Sequence, residues 1–185
     1  VEKLKLNWVA SVGVERLVEL KDMETFGPDV VGHLNLIYSH RVQVIGKAEQ
    51  RWAERVGWDR WHRQIDDLIH SRPPAIIVAD GLEIPAGMHD ICEESQTPLF
   101  TSPKACSAVI DLLHLYLARR FADTVSAHGV FMDVFGVGVL ITGDSGVGKS
   151  ELALELVSRG HGLVADDVVE LARIAPTTIE GRCPG

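Results

Sequence analysis

Residues Gly143-Asp144-Ser145-Gly146-Val147-Gly148-Lys149-Ser150 satisfy every constrained position of the pattern Gly, four residues, Gly-Lys-Ser/Thr, which wraps the phosphates of a nucleotide. Glycine permits a backbone turn so tight that successive N–H groups point inward at phosphate oxygens, an approach that a Cβ would obstruct. Lys149 adds a cation beside the β and γ phosphates, and Ser150 offers a hydroxyl to Mg²⁺. A chance glycine-rich turn is the plain alternative, and the flanking sequence argues against it.

Asp166 and Asp167 are the next candidates. An aspartate beside a γ-phosphate can orient and deprotonate an incoming hydroxyl. If the backbone there is extended, adjacent side chains point to opposite faces, so that one carboxylate faces Mg²⁺ and nucleotide while the other turns away. The residues alone do not decide which. A carboxylate pair that merely ends a strand is the competing reading, and the nearby loop favours function. His128, taken by itself, reads as a hydrogen-bonded structural histidine.

These residues need elements to position them. Val137-Gly138-Val139-Leu140-Ile141-Thr142 is a strand-type run that ends where the loop begins. Leu152, Leu154, Leu156 and Val157, set among Glu151, Glu155 and Arg159, predict a short amphipathic helix starting near Lys149 and stopping at Gly160. Residues 161–165 read as a second strand with the aspartates at its end, completing a βαβ-sized unit of roughly thirty residues. The helix N-terminus then faces the phosphates. Residues 128–141 alternate, pause at glycines and resume, as a hairpin whose return strand feeds the loop, so the loop is expected on a mixed sheet.

Upstream, residues 34–38, 42–45, 75–79 and 98–101 are strand candidates. Trp52, Val56, Trp61, Ile65, Leu68 and Ile69 recur at helical spacing with a break at Gly57, and core packing explains the tryptophans better than cofactor stacking. Residues 105–121 form a long helix with Val109, Leu112, Leu113, Tyr116 and Leu117 on one side and Arg119-Arg120 at its end. The small polar stretch 122–127 reads as a connector, placing a boundary near residue 124. The fold class is therefore α/β, with a first domain (1–124) of unassigned role and a second (125–185) that starts a phosphate-loop domain.

A net charge of −8 without a basic patch argues against nucleic-acid binding. No apolar stretch approaches the roughly twenty residues that span a bilayer, no signal peptide opens the sequence, and a cytoplasmic location is expected. Cys92, Cys106 and Cys183 have no metal-ligand or redox spacing and read as buried free thiols.

From His128 onward the sequence resembles the bacterial HPr kinase/phosphorylase family. The match is carried by His128-Gly129-Val130, Gly143 to Glu151, Arg159-Gly160-His161 and Ala165-Asp166-Asp167-Val168-Val169-Glu170. The resemblance implies a Mur-ligase-like N-terminal domain and a loop domain like that of phosphoenolpyruvate carboxykinases. It implies a hexameric protein-serine kinase that phosphorylates the phosphocarrier HPr with ATP or pyrophosphate and Mg²⁺, regulating carbon metabolism. It further implies removal of that phosphate by phosphorolysis with inorganic phosphate. By position, Lys149 would bind the transferring phosphates, Ser150 would hold Mg²⁺, and Asp167 would be base forward and acid in reverse. His128 would be the family's active-site histidine, with Glu151 and Asp166 in support. The family's second signature, supplying a further metal-binding carboxylate and arginine, is not found by Gly185; a chain ending there is expected to bind nucleotide poorly and to transfer phosphate hardly at all. A small-molecule kinase and a nucleotide-responsive regulatory module without turnover are the competing readings.

Overall fold

In a computed structural model that describes residues 5–16, 18, 31–35 and 40–184, the chain divides between Leu117 and Ala118 into two units. The first holds β1 (Asn7–Ala10), β2 (Val31–His33), β3 (Val42–Ile45), α1 (Lys47–Val56), α2 (Trp58–His70), β4 (Ile76–Val78), α3 (Met88–Glu94) and β5 (Leu99–Thr101), followed by α4 (Cys106–Phe121). The sheet order is β1-β5-β4-β3-β2; β2 through β5 are parallel and β1 is an antiparallel edge.

Parallel strands covered on both faces must be apolar throughout, and β3 and β4 are buried at every position. Alternation assigns the faces. Val42, Val44 and Ile77 pack under Val109, Leu113 and Leu117 of α4. Ile45, Ile76 and Val78 meet Trp61, Ile65 and Ile69 of α2. Each such side chain stabilises the fold by about 1.5–3 kcal/mol through burial. The polar exception, buried Gln43, is satisfied: its Oε1 accepts the Asn35 N–H at 2.9 Å and its Nε2 donates to the Arg41 carbonyl at 3.2 Å.

The helix break falls at Gly57, whose φ of 89° suits glycine. Trp61 is core and meets Trp52 edge-on at 5.9 Å. Tyr116, expected on the inner face of α4, is 55% exposed, because the buried stripe follows Cys106, Val109, Leu113 and Leu117. Of the strand candidate at 34–38, Leu36, Ile37 and Tyr38 lie outside the described residues.

Two of the three cysteines are buried as expected, but Cys183 is exposed beyond the last strand. Burial pushes the Cys92 thiol up to about 11, and burial together with Glu49 and Asp80 pushes Cys106 up to about 12. Since thiolate is the nucleophile, an aromatic disulfide reagent at neutral pH is expected to titrate a single thiol rapidly. Cys183→Ser should abolish that fast phase, and a fast phase surviving the substitution would contradict this assignment.

The second unit holds β6 (Thr124–His128), β7 (Val130–Val134), β8 (Val137–Ile141), α5 (Lys149–Ser158), β9 (Gly162–Ala165), β10 (Val168–Ala175) and β11 (Thr178–Arg182). They form sheets of order β8-β7-β9 and β11-β10-β6. The division falls inside α4, ahead of residue 124, and most of the expected connector is instead strand β6, pairing with β10 from Thr124↔Ala172 to His128↔Val168. Its exposed Thr, Val and Ser give an edge strand no apolar periodicity, so the local sequence does not reveal the pairing.

β7 and β8 form the expected hairpin through a turn in which Phe135 (φ 55°) and Gly136 (φ 81°) are both left-handed. β8 and β9 run the same way but flank β7, which is antiparallel to each. The crossover through α5 therefore spans β7, where Ala153 packs against Val130 and Met132. Gly138 leaves room for Phe131, whose ring would stand 2.6 Å from a Cβ there. Arg182 binds Glu170 across the β10–β11 hairpin, and this hydrogen bond holds the Glu170 carboxyl below the usual carboxylate range.

Candidate active site

β8 delivers Ile141 to the mouth of the loop, and α5 leaves it at Lys149. Between them Gly146 and Gly148 have φ of 81° and 94°, values that explain glycine at those positions. Gly148 is the N-cap of α5, and no side chain caps the helix, so its first-turn amides and positive dipole end are available to an anion. The Lys149 ammonium donates to the carbonyls of Gly143 and Asp144, each at 2.8 Å, which curls the loop around its own cation.

The facing wall comes from the β9–β10 junction. Asp167 has a φ of 72°, and the Val168 N–H donates to the Asp166 carbonyl at 3.0 Å, closing a three-residue turn of the rare strained γ type. The Asp167 N–H donates to Asp166 Oδ1 at 3.0 Å. The extended backbone that would send the two carboxylates to opposite faces is thus absent. Both aspartates line one cleft with Lys149 and Ser150.

His128 ends β6 opposite Val168, and the next residue locks this corner: the Gly129 N–H donates to the Asp167 carbonyl at 3.0 Å. A Cβ on Gly129 would stand 2.5 Å from the Ile141 carbonyl oxygen. Gly129→Ala is therefore expected to cost about 1–3 kcal/mol in chemical denaturation through overpacking. An unchanged denaturation midpoint would show that the corner relaxes freely.

The resulting cleft of about 590 Å³ is lined by His128, Gly143, Ser145, Gly146, Gly148, Lys149, Ser150, Glu151, Asp166 and Asp167, together with Gly129 and Val130. Asp144 and Val147 do not line it; Asp144 contributes only its carbonyl, to Lys149. Sequence reasoning missed the structural role of Gly129. Its local signal was a glycine at the head of the strand-type run 130–134, where close backbone approach is a standard reason for glycine.

The arrangement offers a cation, helix amides, a hydroxyl and three carboxylates around one space. Glycines that admit phosphate oxygens and hard oxygen donors suited to Mg²⁺ fit a metal–nucleotide pair.

Comparison with known proteins agrees in both units. Residues 1–117 match the family described as HPr Serine kinase N terminus, and residues 119–185 match the HPr Serine kinase C-terminal domain. The HPr kinase/phosphorylase of Aromatoleum aromaticum is 51% identical over 183 residues, covering 99% of this chain and 58% of that protein. The HPr kinase/phosphorylase of Azoarcus sp. is 53% identical over 179 residues, covering 97% of this chain and 55% of that protein. The chain thus spans somewhat over half the length of these relatives. Among solved structures, the HPr(Ser) kinase/phosphatase from Coxiella burnetii matches at 44% identity over 33% of this chain and 36% of that one, with a TM-score of 0.31. Two family matches that meet within α4 account for all of the sequence but residue 118, and the chain belongs to the HPr serine kinase family.

Proposed function

We propose that this chain is part of a protein-serine kinase that phosphorylates HPr and reverses the reaction by phosphorolysis. The supporting observation is the convergence of the phosphate loop, Asp166, Asp167 and His128 on one cleft. The relatives' name, HPr kinase/phosphorylase, supports the acceptor and the two directions. ATP, or pyrophosphate, is the proposed donor. Mg²⁺ would be held by Ser150 with a carboxylate in support, and when bound it supplies charge neutralisation of the transferring phosphates.

The chain's own residues divide the remaining work. Loop amides and the α5 N-terminus bind phosphate oxygens, and Lys149 exchanges its two carbonyl partners for phosphate. The Asp167 carboxylate accepts the proton of the serine hydroxyl as its Oγ forms a bond to phosphorus and the bond to the leaving phosphate oxygen breaks. In reverse, an oxygen of inorganic phosphate attacks phosphoserine, the Oγ leaves with the Asp167 proton, and pyrophosphate is the product. His128 would orient the acceptor or donor from the β6 corner. Positioning and charge carry most of the barrier reduction, so a single site serves both directions.

Hexameric assembly and a cytoplasmic location belong to the same reading; among the described residues no helix is long and apolar enough to cross a membrane. The decisive assay incubates a protein spanning the full length of its relatives with ATP, Mg²⁺ and HPr, followed by intact mass of the acceptor. Gain of one phosphoryl group on a serine is expected. An unmodified HPr alongside phosphorylation of a small metabolite would replace this reading with the small-molecule kinase.

A further inference from the structure

At the carboxyl ends of β2 and β3 the first unit gathers a side-chain cluster that phosphoryl transfer does not use. His33 closes β2, Glu49 lies in the first turn of α1, and Cys106 opens α4. Their donor atoms all lie within 4.8 Å of one another. His33 Nδ1 is 2.9 Å from Glu49 Oε1 and 3.7 Å from Cys106 Sγ. We propose that His33, Glu49 and Cys106 bind a borderline-soft divalent cation of the Zn²⁺ type, with a fourth coordination position open on the exposed side of the imidazole.

The donor set is one nitrogen, one carboxylate oxygen and one sulfur, the combination that Zn²⁺ accepts and that Mg²⁺ and Ca²⁺ do not select. Glu49 and Cys106 are held by bonds made through atoms other than their donor atoms. Glu49 Oε2 accepts the Gly46 N–H at 2.8 Å, which turns Oε1 toward His33 Nδ1, 2.9 Å away, where the cation would be shared. The Cys106 N–H donates to Asp80 Oδ1 at 3.0 Å, while Asp80 Oδ2 accepts the Lys47 N–H at 2.7 Å. Asp80 thereby fixes the starts of α1 and α4 with both its oxygens and acts as a positioning residue for Cys106. Gly46 permits this approach, since a Cβ on it would stand 2.7 Å from Cys106 Cβ.

A Cys-His-Glu nucleophile is the obvious rival, and the geometry opposes it. Such a relay needs thiol and carboxylate on different ring nitrogens, whereas both crowd Nδ1 here. One proton on Nδ1 serves one acceptor, but one cation engages all three donors. The ligands stand 16 and 73 residues apart from His33, which is why no metal-ligand spacing is visible in the sequence.

The test titrates the full chain with Co²⁺ as a spectroscopic probe and with Zn²⁺ in competition against a chromophoric chelator. A single equivalent of Co²⁺ should bind with a sulfur-to-cobalt charge-transfer band that Zn²⁺ displaces. The band should survive Cys183→Ser and vanish in Cys106→Ser. Affinity for Zn²⁺ should fall at least about tenfold in Glu49→Gln and in His33→Ala. Because the His33 side chain is 57% exposed, His33→Ala keeps the fold. Zn²⁺ should raise the Tm of the wild type but not of His33→Ala, as mass action requires of a cation that binds only the folded site. Absence of the band, a band that follows Cys183, or equal Zn²⁺ affinity in wild type and His33→Ala would overturn the proposal.

Discussion

In a protein spanning the full length of the relatives, Lys149→Ala is expected under the proposed function to lower phosphoryl transfer to HPr by roughly 10²–10³-fold, the cost of removing one preorganised charge from a transition state, and to reduce nucleotide binding below detection. Two effects combine. The substitution deletes the cation proposed to meet the β and γ phosphates, and it deletes the bonds to the carbonyls of Gly143 and Asp144 that curl the loop, each 2.8 Å long. A nucleotide-induced Tm shift measures the binding half of this expectation directly. Lys149→Met, which keeps most of the stem, should behave like Lys149→Ala; retention of a full Tm shift in either variant would mean that the helix N-terminus and amides bind phosphate unaided.

Asp167→Asn is expected to leave nucleotide binding intact while lowering transfer by about 10²–10⁴-fold in both directions, the usual contribution of a positioned acid or base. Asparagine is the informative replacement. The φ of 72° at position 167 is one that Asn and Asp tolerate far better than other residues with a Cβ. Asn thus removes the proposed proton acceptor while preserving the γ turn that presents it. Asp167→Ala would confound lost chemistry with a strained turn, and a larger denaturation penalty for Ala than for Asn is the control. Equal loss in kinase and phosphorolysis rates is the signature of one group returning the proton it took. Loss in one direction only would assign the aspartate to positioning.

Much of this site was legible in advance because its parts are local. The phosphate loop is a contiguous motif, and β8 and α5 on either side carry their own signals, a β-branched run and a helix opened by Lys149 and closed at Gly160. The opposite wall was only half legible. That Asp166 and Asp167 belong near the loop followed from their place after β9, but their joint presentation depends on a left-handed aspartate, a conformation that Asp tolerates but that nothing in the neighbouring sequence calls for. The pairing of β6 with β10 escaped for a different reason. β6 is largely exposed, and a register set by a partner distant in sequence leaves no local trace. In the first unit, β3 and β4 were plain from short runs rich in Val and Ile, whereas the His33, Glu49 and Cys106 cluster exists only because parallel strands and two helix starts converge.

The most direct test of the phosphate cradle working with Asp167 is phosphorus NMR of phosphoserine-HPr incubated with inorganic phosphate and a protein spanning the full length of the relatives. Pyrophosphate should accumulate as phosphoserine disappears, and Asp167→Asn should stop both changes together. Release of inorganic phosphate alone, or undiminished pyrophosphate from the Asn variant, would contradict it.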